Sequence, residues 1–251
     1  MRNPHADRPP VLLAFHQAGG STAAFAGWQA ALGPGIEVVP VRLPGRGADG
    51  RSPRYHDLAS LTRALSEDLA PRLAGPHLMY GHSMGAVIAY RLARLRTEQG
   101  GRTPERLIVG AHAAPHLVSA AELTRRLSDT ELTRWLVDTS NIPSPLLAGS
   151  RLLDGILVRL RADLRLCATG QEDLATAVPL PCPIDVFAGA DDPLVPLAHA
   201  AGWGRYTSAG STLRVIPGGH FFPRESRQPF FRELRAAVFE EQTRRRPPQQ
   251  G

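Results

Sequence analysis

Strand-like and helix-like segments alternate along most of this chain, and this alternation limits the possible folds more than any other feature. Short apolar runs occur at 11–15, 77–82 and 107–111, and helical spacing of leucines and other apolar residues fills 57–74 and 83–99. Strands that alternate with helices form parallel sheets with helices on both faces. We therefore expect an α/β fold with a mostly parallel central sheet flanked by helices.

The alternation is interrupted once, between residues 116 and 178, where only helical patterns occur. The leucines repeat at helical spacing over 123–137 and 152–167. This stretch is too long for a simple connection, so we predict an inserted helical lid over the sheet. No segment has the composition of an interdomain linker. We therefore expect a single domain over residues 1–251, ending in a disordered arginine-rich tail at 244–251.

The residue types present exclude several kinds of chemistry. All 29 basic residues are arginine, so the chain has no lysine for a Schiff base, for pyridoxal phosphate or for a P-loop. Cys167 and Cys182 are too few for a disulfide framework or a four-cysteine zinc site, and this suits a reducing compartment. The N-terminal segment has no apolar signal core, and no apolar run could span a membrane. We expect a cytoplasmic protein without metal or cofactor.

The formal charge of +6 has two possible explanations: a charged binding partner, or arginines that are simply solvated at the surface. The arginines are scattered along helical patterns and are not interleaved with aromatic residues, so nucleic-acid binding is not favoured. An acidic protein partner is a better use of this charge.

Residues 81–85 read Gly-His-Ser-Met-Gly and match the G-x-S-x-G nucleophile elbow, in which a strand turns sharply into a helix. A strand pattern precedes the motif and a helical pattern follows it, which is the context that the elbow requires. Ser83 is therefore the candidate nucleophile. The alternative is a glycine-rich turn in which Ser83 only caps the helix.

A serine nucleophile needs a histidine base and a carboxylate that orients the base, and elbow enzymes carry them in the order Ser, acid, His. His220 follows two glycines in a loop after a late strand pattern and is the candidate base. Either Asp191 or Asp192 could be the acid, since both follow the preceding strand pattern. The register resembles the G-x-x-D-x-x-V-P turn of many hydrolases, which favours Asp192 and leaves Asp191 as a turn residue.

The oxyanion of a tetrahedral intermediate needs fixed hydrogen-bond donors. The residue after the nucleophile supplies one backbone N–H, here Met84, and the loop after the first strand commonly supplies the other. That loop is residues 16–21, with Ala18 as the candidate donor. His16 at its start is expected to shape the loop by hydrogen bonding.

Six motifs together resemble the type II thioesterases that serve polyketide and non-ribosomal peptide synthetases, within the α/β-hydrolase superfamily. They are HQAGGS at 16–21, LPGRG at 43–47, YGHSMGA at 80–86, LRADLRL at 160–166, FAGADD at 187–192 and PGGHFF at 217–222. The resemblance implies the α/β-hydrolase fold with a mobile helical lid. It also implies hydrolysis of acyl or aminoacyl groups from the phosphopantetheine arm of acyl carrier or peptidyl carrier proteins, as an editing step.

Three other functions fit parts of the same pattern. A free-standing carboxylesterase or lipase would use the same three residues, and an acyltransferase would pass the acyl group to an alcohol or amine instead of water. A non-catalytic α/β interaction protein would have no turnover for a Ser83→Ala substitution to remove.

Overall fold

The computed structural model describes residues 9–44, 55–117, 127–140, 151–169 and 171–245. These residues contain a six-stranded sheet, and its strands are β1 (Val11–Phe15), β2 (Glu37–Pro40), β3 (His77–His82), β4 (Leu107–Gly110), β5 (Ile184–Gly189) and β6 (Ser211–Ile216). The strands lie in the order β2-β1-β3-β4-β5-β6, and all five neighbouring pairs are parallel. The expected α/β fold with a parallel sheet is confirmed.

The helices between and after the strands cover both faces of the sheet. They are α1 (Trp28–Leu32), α2 (Leu58–Asp68), α3 (Ala70–Leu73), α4 (Met84–Glu98), α5 (Asp129–Ser140), α6 (Arg151–Ala168), α7 (Gln171–Ala175), α8 (Leu197–Ala201), α9 (Phe222–Glu225) and α10 (Arg227–Arg245), with short 3-10 helices at Thr22–Phe25 and Gly202–Tyr206. Side chains of α1 and α10 pack in one core cluster, and those of α2 and α4 pack in another.

The sheet separates these two clusters, and β1 shows why a central strand of this sheet is apolar throughout. Leu13 and Phe15 belong to one cluster, whereas Leu12 and Ala14 belong to the other, and all four are fully buried. Successive side chains of a strand point to opposite faces. A strand that is covered on both faces therefore needs an apolar residue at every position.

The segment between β4 and β5 contains α5, α6 and α7, and each regular element described between residues 127 and 175 is helical. Buried leucines of α5 and α6 join the cluster that contains Met84. Cys167 on α6 and Cys182 before β5 are both buried, and neither forms a disulfide. Parts of the lid predicted over 116–178 lie outside the described residues, namely 118–126, 141–150 and 170. That this insert acts as a lid remains a prediction.

The last helix, α10, continues through Arg245 and includes the first two residues of the predicted tail. Glu240 and Glu241 precede Arg244 and Arg245 by four residues, and opposite charges at this spacing favour a helix. The other residues of the predicted tail, 246–251, lie outside the described part. Within the described residues, no helix combines the length and the apolar composition needed to cross a bilayer.

Candidate active site

The turn between β3 and α4 holds Ser83 in a strained backbone conformation, with φ 53° and ψ −116°. Positive φ is unfavourable for a residue with a side chain, and strained backbone positions of this kind cluster at functional sites. Both flanking glycines are sterically required. A Cβ atom on Gly81 would lie 2.1 Å from the carbonyl oxygen of Gly85, and one on Gly85 would lie 2.1 Å from that of Phe15. The predicted elbow geometry is therefore present.

The structure brings together the three predicted residues Ser83, Asp192 and His220. Nε2 of His220 lies 3.1 Å from Oγ of Ser83, and Nδ1 lies 2.9 Å from Oδ2 of Asp192. The side chains of His220 and Asp192 are 2% and 1% exposed, whereas Ser83 is partly exposed. These contacts form a continuous hydrogen-bonded chain from the carboxylate to the hydroxyl.

Asp191 has a different environment from its neighbour. It is exposed, and its backbone N–H donates to the carbonyl oxygen of Gly218 at 3.0 Å. This bond ties the loop after β5 to the loop after β6, which carries His220. Asp191 therefore has the turn position expected for it, and Asp192 is the carboxylate that contacts His220.

The surroundings of Asp192 favour its ionised form. Burial raises the pKa of its carboxyl group. The hydrogen bond and charge of His220, together with the N–H of Leu194, lower this pKa by more than burial raises it, so the pKa lies below its usual value. The N–H of Leu194 donates to Oδ1 at 2.9 Å. An ionised carboxylate can only accept a hydrogen bond, so the ring nitrogen that faces it, Nδ1 of His220, carries the proton. The other nitrogen, Nε2, can then accept the hydroxyl proton of Ser83.

His82 is a site residue that sequence reasoning missed. Its Nε2–H donates to the backbone carbonyl of His220 at 2.8 Å, and its Nδ1 accepts from the Tyr80 hydroxyl at 3.1 Å. Burial first, and then the nearby His220, lower the pKa of His82 to about 3, so the ring is neutral. A Cβ atom on Gly110 would lie 3.1 Å from the Tyr80 hydroxyl, so this glycine leaves room for the pair. His82 thus holds the backbone of His220, and no local sequence signal indicates that contact.

The two predicted oxyanion donors lie on segments that flank Ser83. Met84 begins α4, and Ala18 lies in the loop at residues 16–21, which we call the β1 loop. Phe15 pairs in register with Gly81, so the β1 loop starts beside the elbow. His16 is 1% exposed, and its Nδ1–H donates to the carbonyl of Gln17 at 2.8 Å. His16 therefore makes the kind of loop-shaping contact expected for it.

A cavity of about 490 Å³ opens between the β1 loop and the segment that follows His220. Aromatic and polar side chains line it together with Arg224 and Arg227, both of which are exposed. Positive charge therefore borders this cavity, whose lining includes His82 and Phe221, the sequence neighbours of Ser83 and His220, but not Ser83, Asp192 or His220 themselves. Among the described residues, no three His, Cys, Asp or Glu side chains are grouped as metal ligands.

A parallel sheet whose central strand ends in a nucleophile elbow, with acid and histidine on loops after later strands, defines the α/β-hydrolase class. A family model described as "Thioesterase domain" matches residues 10–238. The chain belongs to this thioesterase family and is a hydrolase that acts on thioesters.

Similar proteins cover nearly the same length. Linear gramicidin dehydrogenase LgrE of Brevibacillus parabrevis is 34% identical over 220 residues, which are 86% of this chain and 83% of that protein. RedJ, a thioesterase from the prodiginine biosynthetic pathway in Streptomyces coelicolor, is 35% identical with a TM-score of 0.81, over 92% of this chain and 87% of that one. The type II thioesterase BorB from the borrelidin biosynthetic cluster is 30% identical with a TM-score of 0.80, over 94% and 95%. The resemblance to type II thioesterases is confirmed.

Proposed function

We propose that this protein removes acyl or aminoacyl groups from the phosphopantetheine arm of acyl or peptidyl carrier proteins, as an editing step of polyketide or non-ribosomal peptide synthesis in the cytoplasm. The observation that carries this proposal is the hydrogen-bonded chain from Asp192 through His220 to Ser83 in a member of the thioesterase family. The names of RedJ and BorB, which refer to biosynthetic pathways, support the substrate class.

Acylation begins when Oγ of Ser83 attacks the thioester carbonyl carbon and its proton passes to Nε2 of His220. The carbonyl oxygen becomes an oxyanion that accepts hydrogen bonds from the N–H groups of Met84 and Ala18. When the C–S bond breaks, the sulfur leaves as a thiolate and takes the proton from Nε2 of His220, so that the arm is released as a thiol and His220 can act as a base again. Because a thiol has a pKa of about 8.5, the sulfur leaves with little help from a general acid. The acyl group is then an ester of Ser83.

Deacylation uses the same groups in a second round. A water molecule attacks the ester carbonyl while Nε2 of His220 takes its proton, and that proton is returned to Oγ of Ser83 as the free acid leaves. Asp192 stays ionised throughout and stabilises the imidazolium. The helical insert acts as a lid, which must hold the acyl group and still admit this water.

The charge of the chain supports a carrier protein as partner. The sequence has a formal charge of +6, and Arg224 and Arg227 border the cavity that Phe221, the residue after His220, also lines. The phosphate of the arm is negatively charged, and the carrier proteins expected as partners are acidic. Charge complementarity of this kind speeds encounter and weakens with added salt.

The decisive experiment compares an acyl carrier protein with a simple ester of the same acyl group. We expect a higher kcat/KM for the carrier thioester, inhibition of ester hydrolysis by added acyl carrier protein, and free acid as the product. A higher kcat/KM for the ester, without competition from the carrier, would instead identify a carboxylesterase. An ester or amide product would identify an acyltransferase.

A further inference from the structure

The two outermost strands of the sheet, β2 and β6, differ in how their open edges are treated. An outer strand carries a row of backbone N–H and C=O groups that face no neighbouring strand. Proteins usually protect such a row with side chains, proline or charge, because another strand could pair with it. Within the described sheet, the edge at β2 is protected in this way and the edge at β6 is not.

The edge at β2 is covered by a side chain of α1. The N–H of Glu37 donates to the residue before β1 at 2.9 Å, so the odd-numbered residues of β2 face β1 and the even-numbered ones face outward. Oε1 of Gln29 accepts from the outward N–H of Val38 at 2.9 Å, and its Nε2 donates to the carbonyl of Ile36 at 3.0 Å. Pro40 ends the strand and has no N–H to offer. This edge is therefore closed to a further strand.

The backbone groups at the outer edge of β6 have no such cover. The carbonyls of Gly210 and Ile216 accept from the N–H groups at the start of β5 and just after it, at 3.1 Å and 2.8 Å, so the even-numbered residues face β5. The N–H and C=O groups of Ser211, Leu213 and Val215 therefore point away from the sheet. No residue in the described part of the chain forms a hydrogen bond with them.

The side chains of β6 also leave this edge open to pairing. Leu213 and Val215 are 39% and 47% exposed, and they lie on the same face because they are two residues apart. Arg214 is the only charged residue of the strand, and its side chain points to the opposite face. Three carboxylates bind it there at 3.1–3.3 Å, and they belong to Asp185, Glu233 and Glu240. The charge that could deter another strand is therefore bound within the chain itself.

The charges around β6 favour one kind of partner. The carboxylates that bind Arg214 also bind Arg106 at 2.5 Å and Arg232 at 3.2 Å. These three carboxylates and three arginines form a network without net charge, although the whole chain carries +6. An acidic carrier protein is therefore not attracted to this edge, and a second positively charged copy of the chain meets no local repulsion there.

We propose that two copies of this protein associate through β6, which pairs antiparallel with β6 of the second copy and joins the two sheets into one of twelve strands. The register that pairs the whole strand places Leu213 opposite Leu213 of the second copy, and Ser211 opposite Val215. The three outward-facing residues of each copy then form about six hydrogen bonds across the twofold axis. Because both copies contribute the same groups, the contact is self-complementary and closes at two chains.

This pairing also covers the exposed apolar side chains of β6. Leu213 and Val215 of both copies lie on the same face of the joined sheet, within reach of one another across the two strands. The dimer adds an interaction surface beyond the proposed function and leaves the chemistry unchanged, because β6 contributes no residue to the candidate active site. Hydrolysis of a small thioester therefore serves as a check of folding in the variants below.

The first test is sedimentation equilibrium of the full chain between about 1 and 100 μM, in which the wild type should form a reversible dimer. Leu213→Lys places two positive charges directly opposite each other, which should raise the dissociation constant at least about tenfold. Its kcat should stay within about twofold of wild type, which shows that the variant is folded. Val158→Lys is the matched control, because Val158 is 63% exposed on α6 and lies outside the sheet. This control should leave the dissociation constant unchanged.

The second test examines the register of the pairing by cross-linking. In the proposed dimer, the Cα atoms of Leu213→Cys lie about 5.5 Å apart, within the range that a disulfide can bridge. The two copies of Val215→Cys, on the same face of the same strand, lie four residues out of register and roughly 14 Å apart. Air oxidation should therefore give a disulfide-linked dimer of Leu213→Cys and leave Val215→Cys as single chains on a non-reducing gel. Cys167 and Cys182 are buried and should not contribute.

Three results would overturn the inference: a wild type that stays monomeric at about 100 μM, an equal effect of Leu213→Lys and Val158→Lys, or equal cross-linking of the two cysteine variants. Assemblies larger than a dimer would contradict the closed twofold contact. If Leu213→Lys does not fold, the comparison of Leu213→Cys with Val215→Cys decides the question. A wild type that dimerises but does not hydrolyse thioesters of carrier proteins would contradict the proposed function alone, and an active monomer would contradict the dimer alone.

Discussion

Ser83 is the residue on which the proposed chemistry depends most directly. Its hydroxyl lies 3.1 Å from Nε2 of His220, and the residue as a whole is partly exposed where β3 ends. Ser83→Ala removes the nucleophile but leaves the glycines of the elbow in place. We expect kcat to fall by at least about 1000-fold while the binding of a non-hydrolysable acyl carrier protein is kept. Steady-state kinetics and a binding titration check this.

An early-quench experiment locates the intermediate. A labelled acyl group supplied on a carrier protein should be recovered on Ser83 of the wild type and be absent from Ser83→Ala. Label on any other residue would contradict the proposed mechanism.

His82 makes stability depend on pH in a direction that its environment determines. Burial lowers the pKa of His82 to about 3 in the folded state, whereas an unfolded histidine titrates near the usual value of 6.5. Between these values the unfolded chain binds a proton that the folded protein does not bind. The free energy of unfolding therefore falls as the pH decreases below about 6.5, by up to ~1.4 kcal/mol per pH unit.

The slope is proportional to the number of protons that the chain takes up on unfolding. His82→Gln should reduce that number by about one, as measured by urea unfolding between about pH 4.5 and pH 6.5. Burial also lowers the pKa of His112, to about 4, so some acid sensitivity of the same sign should remain. An unchanged slope in His82→Gln would show that His82 is not neutral in the folded protein.

At the scale of elements, a glycine-to-alanine substitution should have opposite effects on the free energy of unfolding in helices α4 and α6. A Cβ atom on Gly85 would meet the backbone of Phe15 at 2.1 Å, whereas one on Gly155 meets nothing within 4 Å. Gly85→Ala should therefore prevent folding or destabilise the protein severely. Gly155→Ala, at an exposed position inside α6, should raise the free energy of unfolding by roughly 0.5–1 kcal/mol.

Denaturant unfolding of both variants checks this pair. A stable Gly85→Ala variant would contradict the close approach of the elbow to β1. A destabilised Gly155→Ala variant would contradict the open surroundings of that position.

The elements that could be predicted from the sequence are those whose signals are local. β1 and β4 appear as uninterrupted apolar runs because both faces of the sheet are covered, and the elbow at the end of β3 has its own five-residue pattern. His220 could be found because glycines and a strand pattern precede it. The order of Ser, acid and His then left Asp191 and Asp192 as candidates, and the register of the G-x-x-D-x-x-V-P turn favoured Asp192.

Contacts across long separations could not be predicted in this way. The Asp163 carboxylate accepts a hydrogen bond from the Gly19 N–H across 144 residues, and His82 donates to the His220 carbonyl across 138 residues. Each depends on how α6 or β3 is oriented after the chain has folded. The periodicity of a segment indicates which face is apolar, but not which loop a buried polar side chain on that face will meet.

At the scale of the whole molecule, the charge of +6 should affect how well the protein binds an acidic carrier protein, and not how fast it hydrolyses a bound thioester. Raising the ionic strength from about 0.05 M to 0.5 M should increase KM for an acyl carrier protein several-fold, because screening shortens the range of the attraction. KM for a small acyl thioester should not change. Parallel kinetics with the two substrates measure the difference.

The two exposed arginines beside the cavity allow a sharper version of this experiment. Arg224→Gln with Arg227→Gln should reduce the salt dependence, whereas Arg232→Gln, a 74% exposed arginine on α10 outside the cavity lining, should leave it almost unchanged. Equal effects of the three substitutions would indicate only a response to total charge.

The burial of both cysteines has a practical consequence for following α6. Cys167 and Cys182 are 6% and 3% exposed, and burial raises the pKa of Cys182 to about 12, so native thiols should resist alkylation. Val158 lies on α6 and is 63% exposed. A maleimide dye or spin label would therefore attach to Val158→Cys alone, and the position of this helix could be recorded spectroscopically without first replacing any native sulfur.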